Sequence, residues 1–276
     1  MSTNTPAEIT RRAAAIGESK LNIQQSSYPR FAIMTVLAGA YIAFGGILSV
    51  ILGFGFPELT AANPGLQRLL SGAAFPIGLI LVVVLGAELF TGNNAVLMPT
   101  FMTRHCSIGQ ILANWCFVYL GNFAGALLFV YFFVYSTGLT TPDPWHSAII
   151  NIAEAKVSMT WWTVFLKGVG ANWCVCLAIW LALSAKSSGA KMFGCWLPVA
   201  AFVALGYEHC IANMFFIPAG MLEGASVSVG QMITANLIPS TLGNIAGGAL
   251  LVGCLHSYLY LSKEETAHDC RRNTRN

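Results

Sequence analysis

Long apolar runs, separated by short polar segments, fill the chain between residues 31 and 261. A helix needs about 20 apolar residues to cross the hydrocarbon core of a membrane. The pattern therefore predicts an all-α membrane protein with six crossings. The apolar runs lie at 31–54, 69–102, 109–136, 160–185, 191–219 and 232–261.

The second and fifth runs are longer than one crossing, and polar residues and glycine interrupt both. The interruptions are GAELFTGNN at 86–94 and GYEHCIAN at 206–213. We interpret each run as one discontinuous crossing, made of two half-helices joined by an irregular loop. Irregular backbone survives at membrane depth only where protein or a water-filled cavity binds its polar groups.

The composition agrees with a membrane protein. The chain is 56% hydrophobic and 9% charged, whereas soluble domains carry about 25% charged residues. The net charge of +3 is small, and no concentrated basic face is present, which argues against nucleic-acid binding. The eight cysteines do not have the spacing of a zinc or redox pair, so we expect buried apolar side chains and neither metal nor cofactor.

Basic residues predict the orientation, since Lys and Arg concentrate in cytoplasmic loops. We expect residues 1–30 to be a cytoplasmic segment, 31–261 the membrane domain and 262–276 a cytoplasmic tail. Residues 6–25 are weakly amphipathic and form either a helix on the cytoplasmic face or a solvated terminus. Eleven basic residues fall on the predicted inner side, against Arg68 and Lys156 outside: Arg11, Arg12, Lys20, Arg30, Arg104, Lys186, Lys191, Lys263, Arg271, Arg272 and Arg275.

The sequence contains an internal repeat. YLGNFAGALL at 119–128 returns as TLGNIAGGALL at 241–251, and Pro76 and Pro198 precede the two interruptions. Crossings one to three thus correspond to crossings four to six. Because three is odd, the second copy enters the membrane from the opposite side, which predicts an inverted 3+3 repeat whose interruptions meet near the midplane.

Paired polar residues recur at fixed places in the interruptions. Glu88 and Asn93 have the spacing of Glu208 and Asn213. Each backbone N–H group left bare in hydrocarbon costs several kcal/mol, and a carboxylate accepts two or more such groups. We interpret these four residues as support for the broken helices. The alternative makes them a proton path or ion ligands.

His209 breaks the symmetry, since Leu89 occupies the matching position. An ionisable residue at a membrane break favours a functional role, so we expect His209 to line a permeation path. Thr91, in the matching loop, offers a hydroxyl to the imidazole. Imidazole titrates near neutral pH, and a neutral acid enters an apolar pore far more easily than a bare anion. The pattern therefore indicates passage of weak-acid anions coupled to protons.

Several residues near the interruptions suit a pore. Lys156 follows a predicted outer loop containing Asp143 and His146, where a cation would attract anions. Lys167 either reaches the outer interface or lines the pore mouth. Five apolar residues are candidate constrictions on either side of the polar centre: Phe75, Leu79, Phe90, Val175 and Phe202.

Other functions fit less well. A water or small-neutral-solute channel is the nearest alternative, although both interruptions lack Asn-Pro-Ala. An intramembrane protease is disfavoured because no aspartate lies within a crossing and no G-x-S-x-G motif occurs. We therefore expect a transporter with no catalytic residues.

Four segments together resemble the formate/nitrite transporter family over about residues 30–261. They are GAELFTGN at 86–93, ANWCVCLAIWLA at 171–182, GYEHCIANM at 206–214 and NLIPSTLGNIAGG at 236–248. The resemblance implies an aquaporin-like fold, a homopentamer with one pore per subunit, and a location in the plasma or inner membrane. It also implies a central Thr91–His209 pair, the same five constriction residues, Asn172 near the pore and Lys156 in the outer vestibule.

The resemblance leaves the substrate open. Family members pass formate, nitrite, hydrosulfide, acetate or lactate. At Lys167 the sequence resembles the nitrite branch of the family, whereas at Phe75 and Leu79 it resembles the formate branch. Formate or nitrite is therefore expected first, with hydrosulfide, acetate or lactate as alternatives.

Overall fold

The computed structural model describes residues 4–261, and every regular element among them is helical. Three of the helical stretches, Val130–Tyr135, Met232–Leu237 and Ala246–Cys254, are π-helical. The α-helices are α1 Pro6–Ser26, α2 Tyr28–Phe54, α3 Pro57–Ala62, α4 Pro64–Ala74, α5 Ile77–Leu85, α6 Phe90–Met102, α7 Ile108–Phe129, α8 Trp145–Ser158, α9 Trp161–Ser184, α10 Ser188–Ala204, α11 Cys210–Leu222, α12 Val229–Gln231, α13 Ile238–Ile245 and α14 Leu255–Tyr260.

Five helical stretches in the described part of the chain are long and apolar enough to cross a membrane. They are Tyr28–Phe54, Pro64–Leu85, Ile108–Tyr135, Trp161–Ser184 and Val229–Tyr260. The predicted fifth run, 191–219, is divided between α10 and α11, and each of these apolar helices is too short by itself. By length and composition alone, five helical stretches in the described residues thus qualify as spans, whereas the sequence pattern predicted six crossings.

Glycine ends the helix before each interruption. Gly86 and Gly206 have φ values of 77° and 69°, a left-handed conformation that residues with a β-carbon rarely adopt. The chain then runs extended through Leu89 and His209 before α6 and α11 begin. The chain is therefore non-helical at 86–89 and 205–209, next to or within the segments 86–94 and 206–213 that the sequence analysis interpreted as interruptions.

The N-terminal segment is a helix that packs on the rest of the protein. Thr5 and Glu8 form a capping box at the start of α1, which satisfies otherwise unpaired N–H groups. Gly17 lies so close to α6 that a β-carbon there would clash with Thr100. Residues 6–25 are therefore helical, whereas the predicted tail 262–276 lies outside the described residues.

The loop predicted before the fourth crossing is wrong. Residues Trp145–Ser158 form α8, which packs on α11. The helix was not recognised because charged and polar residues interrupt the apolar pattern of its buried face, which is formed by Ala148, Ile149 and Ala153.

The two halves of the chain make matching helix contacts. Helix α2 packs on α7 as α9 packs on α13, and α1 packs on α6 as α8 packs on α11. Close approach depends on glycine in both halves, since a β-carbon on Gly121 would clash with Thr35 and one on Gly243 with the carbonyl oxygen of Phe165. These contacts bring the two interruptions together inside the helical bundle.

Candidate functional site

Each interruption carries a buried ion pair. Lys156 Nζ lies 3.0 Å from Glu208 Oε1 and 3.2 Å from Oε2, and Lys20 Nζ lies 2.8 Å from Glu88 Oε1. The lysines come from α8 and α1, the two helices that pack on α11 and α6. Both glutamate side chains are almost fully buried. A carboxylate paired in this way costs less to bury than an isolated charge.

Asparagines complete both pairs. Asn213 Nδ2 donates to Glu208 Oε2 at 2.8 Å and to Asn236 Oδ1 at 2.7 Å. In the other half, Asn93 Nδ2 donates to Glu88 Oε2 at 2.9 Å and to Asn114 Oδ1 at 3.0 Å. The carboxylates thus accept side-chain N–H groups, whereas the sequence interpretation had them accept backbone N–H groups.

The freed backbone groups are bound by a second pair of asparagines. Asn244 Oδ1 accepts the N–H of Cys210 at 2.8 Å, and its Nδ2 donates to the carbonyl oxygens of Gly168 and Glu208. Asn122 binds the N–H of Phe90 in the same way and donates to the carbonyl of Glu88.

Histidine and threonine meet between the interruptions. His209 Nε2 lies 3.0 Å from Thr91 Oγ1, and both side chains are buried. Because the N–H of Ala212 donates to His209 Nδ1 at 3.1 Å, a neutral ring carries its proton on Nε2 and donates it to Thr91. The predicted Thr91–His209 contact is therefore present in the structure.

Two cavities lie near this contact, one at His209 and the other beside the interruption at 86–89. One, of about 220 Å³, is lined by Phe75, Lys156, Phe202, Glu208 and His209; we call it the outer cavity, after the orientation expected from the basic residues. The other, of about 290 Å³, is lined by Lys20, Leu79, Glu88, Leu89 and Ile179; we call it the inner cavity. Each cavity therefore has apolar walls and one Lys–Glu pair.

Aromatic rings pack against His209 at the wall of the outer cavity. The Phe202 ring stacks on the imidazole with centroids 5.9 Å apart, and Phe75 meets Phe202 edge-on at 5.8 Å. Phe90 and Val175 are buried but line neither cavity. Phe90 instead packs edge-on against Tyr119. The structure thus brings three of the five predicted constriction residues to a cavity wall, namely Phe75, Leu79 and Phe202.

Asn172 and Lys167 also lie away from the cavity walls. Asn172 is fully buried, and its Nδ2 donates to the carbonyl oxygens of Thr91 at 3.2 Å and Asn244 at 2.7 Å. Asn172 therefore holds the backbone of Thr91. Lys167 is half-buried, and its Nζ lies 3.6 Å from Met159 Sδ, while its carbonyl oxygen accepts the N–H of Glu208.

Sequence reasoning missed Lys20 and assigned no role to Asn122 or Asn244. The repeated LGN triplet contains both asparagines and was the available signal. Lys20 had no such signal, because the segments around Lys20 and Lys156 are dissimilar. Among the described residues, no group of three His, Cys, Asp or Glu side chains is placed to hold a metal ion.

Comparison with known proteins gives one consistent result. The family model described as "Formate/nitrite transporter" matches residues 7–258. A "Probable formate transporter" of Methanothermobacter thermautotrophicus is 40% identical over 94% of this chain and 98% of the relative.

Solved structures are similar over most of the fold. A structure described as "FNT family ion channel" has a TM-score of 0.84 and 30% identity, covering 91% of this chain and 98% of its own. A "Pentameric formate channel with formate bound" has a TM-score of 0.75 and 31% identity, covering 87% and 99%.

Proposed function

Because the chain belongs to the formate/nitrite transporter family, we propose that it conducts small monovalent weak-acid anions, formate or nitrite foremost. Family membership and the long apolar helices make the chain an integral membrane transporter and not an enzyme. The observation that carries the proposal is the buried His209–Thr91 contact at 3.0 Å, with one cavity at His209 and another beside the interruption at 86–89.

The proposed topology has six crossings in an inverted 3+3 repeat. Helices α4, α5 and α6 form the second crossing, and α10 and α11 form the fifth. The left-handed glycines and the matching asparagines of the two interruptions support this arrangement. Irregular backbone is tolerated there because side chains bind its polar groups.

Anions in the cavities meet cations as well as apolar side chains. The Lys156–Glu208 and Lys20–Glu88 pairs present N–H donors at the cavity walls. A bare anion then faces a large desolvation penalty at Phe202 and Leu79, whereas a neutral acid does not. We therefore propose that the anion is held by the Nε2–H group of His209, or is protonated there by an imidazolium ring that regains its proton from the aqueous phase in each cycle. Either step couples its passage to protons and makes the rate depend on pH.

The remaining roles follow from position. Phe75, Phe202 and Leu79 narrow the path at the cavity walls, and Phe90 and Val175 do so nearer the centre. Asn172 acts through the backbone of Thr91, and Lys167 lies at the edge of the outer interruption. The helix breaks are supported by Glu88, Asn93, Glu208 and Asn213, together with Asn122 and Asn244.

Assembly and location extend the same proposal. The similar structure described as a pentameric formate channel supports a homopentamer with one path per subunit. The distribution of basic residues supports cytoplasmic termini, with residues 1–30 and 262–276 on that side of the plasma or inner membrane.

Uptake into liposomes containing the purified chain tests the function. We expect formate and nitrite to enter faster than chloride, with a rate that rises as the external pH falls. The His209→Phe variant should lose this pH dependence while keeping its assembly, and Asn151→Ala, an exposed substitution on α8, is the matched control. If the His209→Phe variant keeps the wild-type rate and pH profile, His209 has no part in the transport mechanism.

Parallel uptake of hydrosulfide, acetate, lactate and water defines the substrate class. Preference for one of the other weak acids would keep the mechanism and change the substrate. Rapid water flux without anion flux would favour the neutral-solute channel instead.

A further inference from the structure

Each cavity wall has a second basic residue besides the lysine of its ion pair. Arg68 of α4 lines the outer cavity, and Lys191 of α10 lines the inner cavity. Within residues 4–261, neither side chain has a hydrogen-bond or ion-pair partner, in contrast to Lys20 and Lys156. Each cavity therefore contains one paired and one unpaired cation.

The paired lysines are electrically compensated. Lys156 contacts both carboxylate oxygens of Glu208 and lies 5.3 Å above the centre of the Phe216 ring. The field of a close ion pair is that of a dipole, which decays with distance faster than the field of a single charge. An approaching anion at the cavity mouth therefore responds mainly to Arg68 or Lys191.

The two unpaired cations occupy nearly matching positions in the repeat. Arg68 lies eight residues before Pro76, and Lys191 lies seven residues before Pro198. Both belong to the helical stretch that leads into an interruption. The same electrostatic arrangement is thus built at both ends of the path from different residue types.

We propose that Arg68 and Lys191 are the residues that draw anions into the outer and inner cavities, whereas Lys156 and Lys20 act only on an anion already inside. This inference rests on the proposed function, since it assigns the two cavities to an anion path. Low-dielectric walls focus the field of a charge and raise the local concentration of counter-ions. Loss of either cation should therefore change the KM for the anion and not the maximal rate of transport.

Formate uptake at low and high ionic strength tests this assignment. In right-side-out vesicles at about 10 mM salt, where the Debye length is about 30 Å, Arg68→Gln should raise the KM for formate about three- to tenfold, a modest part of the steering range. At about 1 M salt, screening within about 3 Å should remove most of the difference. The maximal rate should stay unchanged. Lys191→Gln should do the same in inverted vesicles.

Two control variants separate charge from structure. Arg68→Lys keeps the charge and should keep the wild-type KM, and Arg30→Gln removes an exposed cation that lines neither cavity. An unchanged KM in both Arg68→Gln and Lys191→Gln would overturn the inference. A wild-type KM that does not respond to salt would also overturn it. The second of these outcomes needs no variant, so it can contradict the inference even where a variant fails to assemble. Absence of any weak-acid transport by the wild type would instead refute the proposed function.

Discussion

Glu208 shows how an ionisable side chain is accommodated in apolar surroundings. Its two oxygens accept hydrogen bonds from Lys156, Asn213 and Asn236, so both charge and acceptor capacity are compensated. Glu88 accepts hydrogen bonds from Lys20 and Asn93, but Asn114, the counterpart of Asn236, donates to Gln24 instead. Removing one partner of such a cluster is expected to cost more than removing the pair.

A double-mutant cycle tests this expectation. Lys156→Met leaves Glu208 buried without its cation and should lower the stability of the protein by about 3–5 kcal/mol. Adding Glu208→Gln removes the carboxylate charge and should recover most of the loss. Thermal unfolding of the purified protein in detergent, with oligomer retention, measures both effects.

Lys186→Met, which removes an exposed lysine, controls for the loss of positive charge in general. A Lys156→Met protein as stable as wild type would show that the pair contributes nothing to the fold. If the double variant is no more stable than Lys156→Met, the loss of stability does not come from the unpaired carboxylate of Glu208.

Sequence reasoning reached the residues of the interruptions themselves. His209 was identified because it breaks an otherwise symmetric pattern, and Thr91 because it lies in the matching loop. Lys20 was missed because only the packing of α1 on α6 places its amine beside Glu88. Asn172 was placed near the pore, but its hydrogen bonds to backbone carbonyls depend on a helix contact that no sequence pattern reports.

At the scale of elements, α1 closes one side of the inner cavity. Ile16, Lys20 and Ile23 contribute to the cavity wall. The helix is held in place by Thr100 Oγ1, which donates to the carbonyl oxygen of Ala14 at 3.0 Å, and by Arg12, which donates to that of Leu183 at 3.3 Å. The position of α1 thus determines whether Lys20 reaches Glu88.

Gly17→Leu is expected to dislodge this helix. A β-carbon at position 17 would lie 2.6 Å from the carbonyl oxygen of Val96, and overpacking of this kind costs about 1–3 kcal/mol. Trypsin should then cut after Arg11 or Arg12 faster than in the wild type. Ala15→Leu, on the exposed face of α1, is the matched control. Equal cleavage rates in both variants would show that α1 does not depend on close packing at Gly17.

The long helices could be predicted because their apolar runs exceed the length of a crossing. Their ends were less accurate: the second run was placed from residue 69, whereas helix begins at Pro64, because proline at the first helical position is compatible with polar neighbours. Helix α8 was missed because its buried face is only three residues, Ala148, Ile149 and Ala153. Short amphipathic helices become recognisable only once their packing partner is known.

At the scale of the whole molecule, the two halves of the chain make matching contacts beyond the apolar runs. Helices α1 and α8 precede α2 and α9, and each supplies the lysine that pairs with a glutamate of an interruption. Tyr119 and Thr241, which begin the two repeated motifs, lie opposite each other with their hydroxyl oxygens 3.0 Å apart. This contact marks where equivalent positions of the halves meet.

Such symmetry predicts similar transport in both directions. On the proposed path, an anion entering from either end would meet an unpaired cation, a Lys–Glu pair and apolar side chains, so the barriers on the two sides of His209 should be nearly equal. Under equal and opposite formate gradients at one pH, we expect influx and efflux within about threefold, which corresponds to roughly 0.7 kcal/mol. Stopped-flow fluxes in right-side-out and inverted vesicles measure the ratio. A ratio above about tenfold, roughly 1.4 kcal/mol, would contradict the equivalence of the two entrances. Because α1 covers only the inner cavity, loss of that asymmetry in Gly17→Leu would show that α1 causes it.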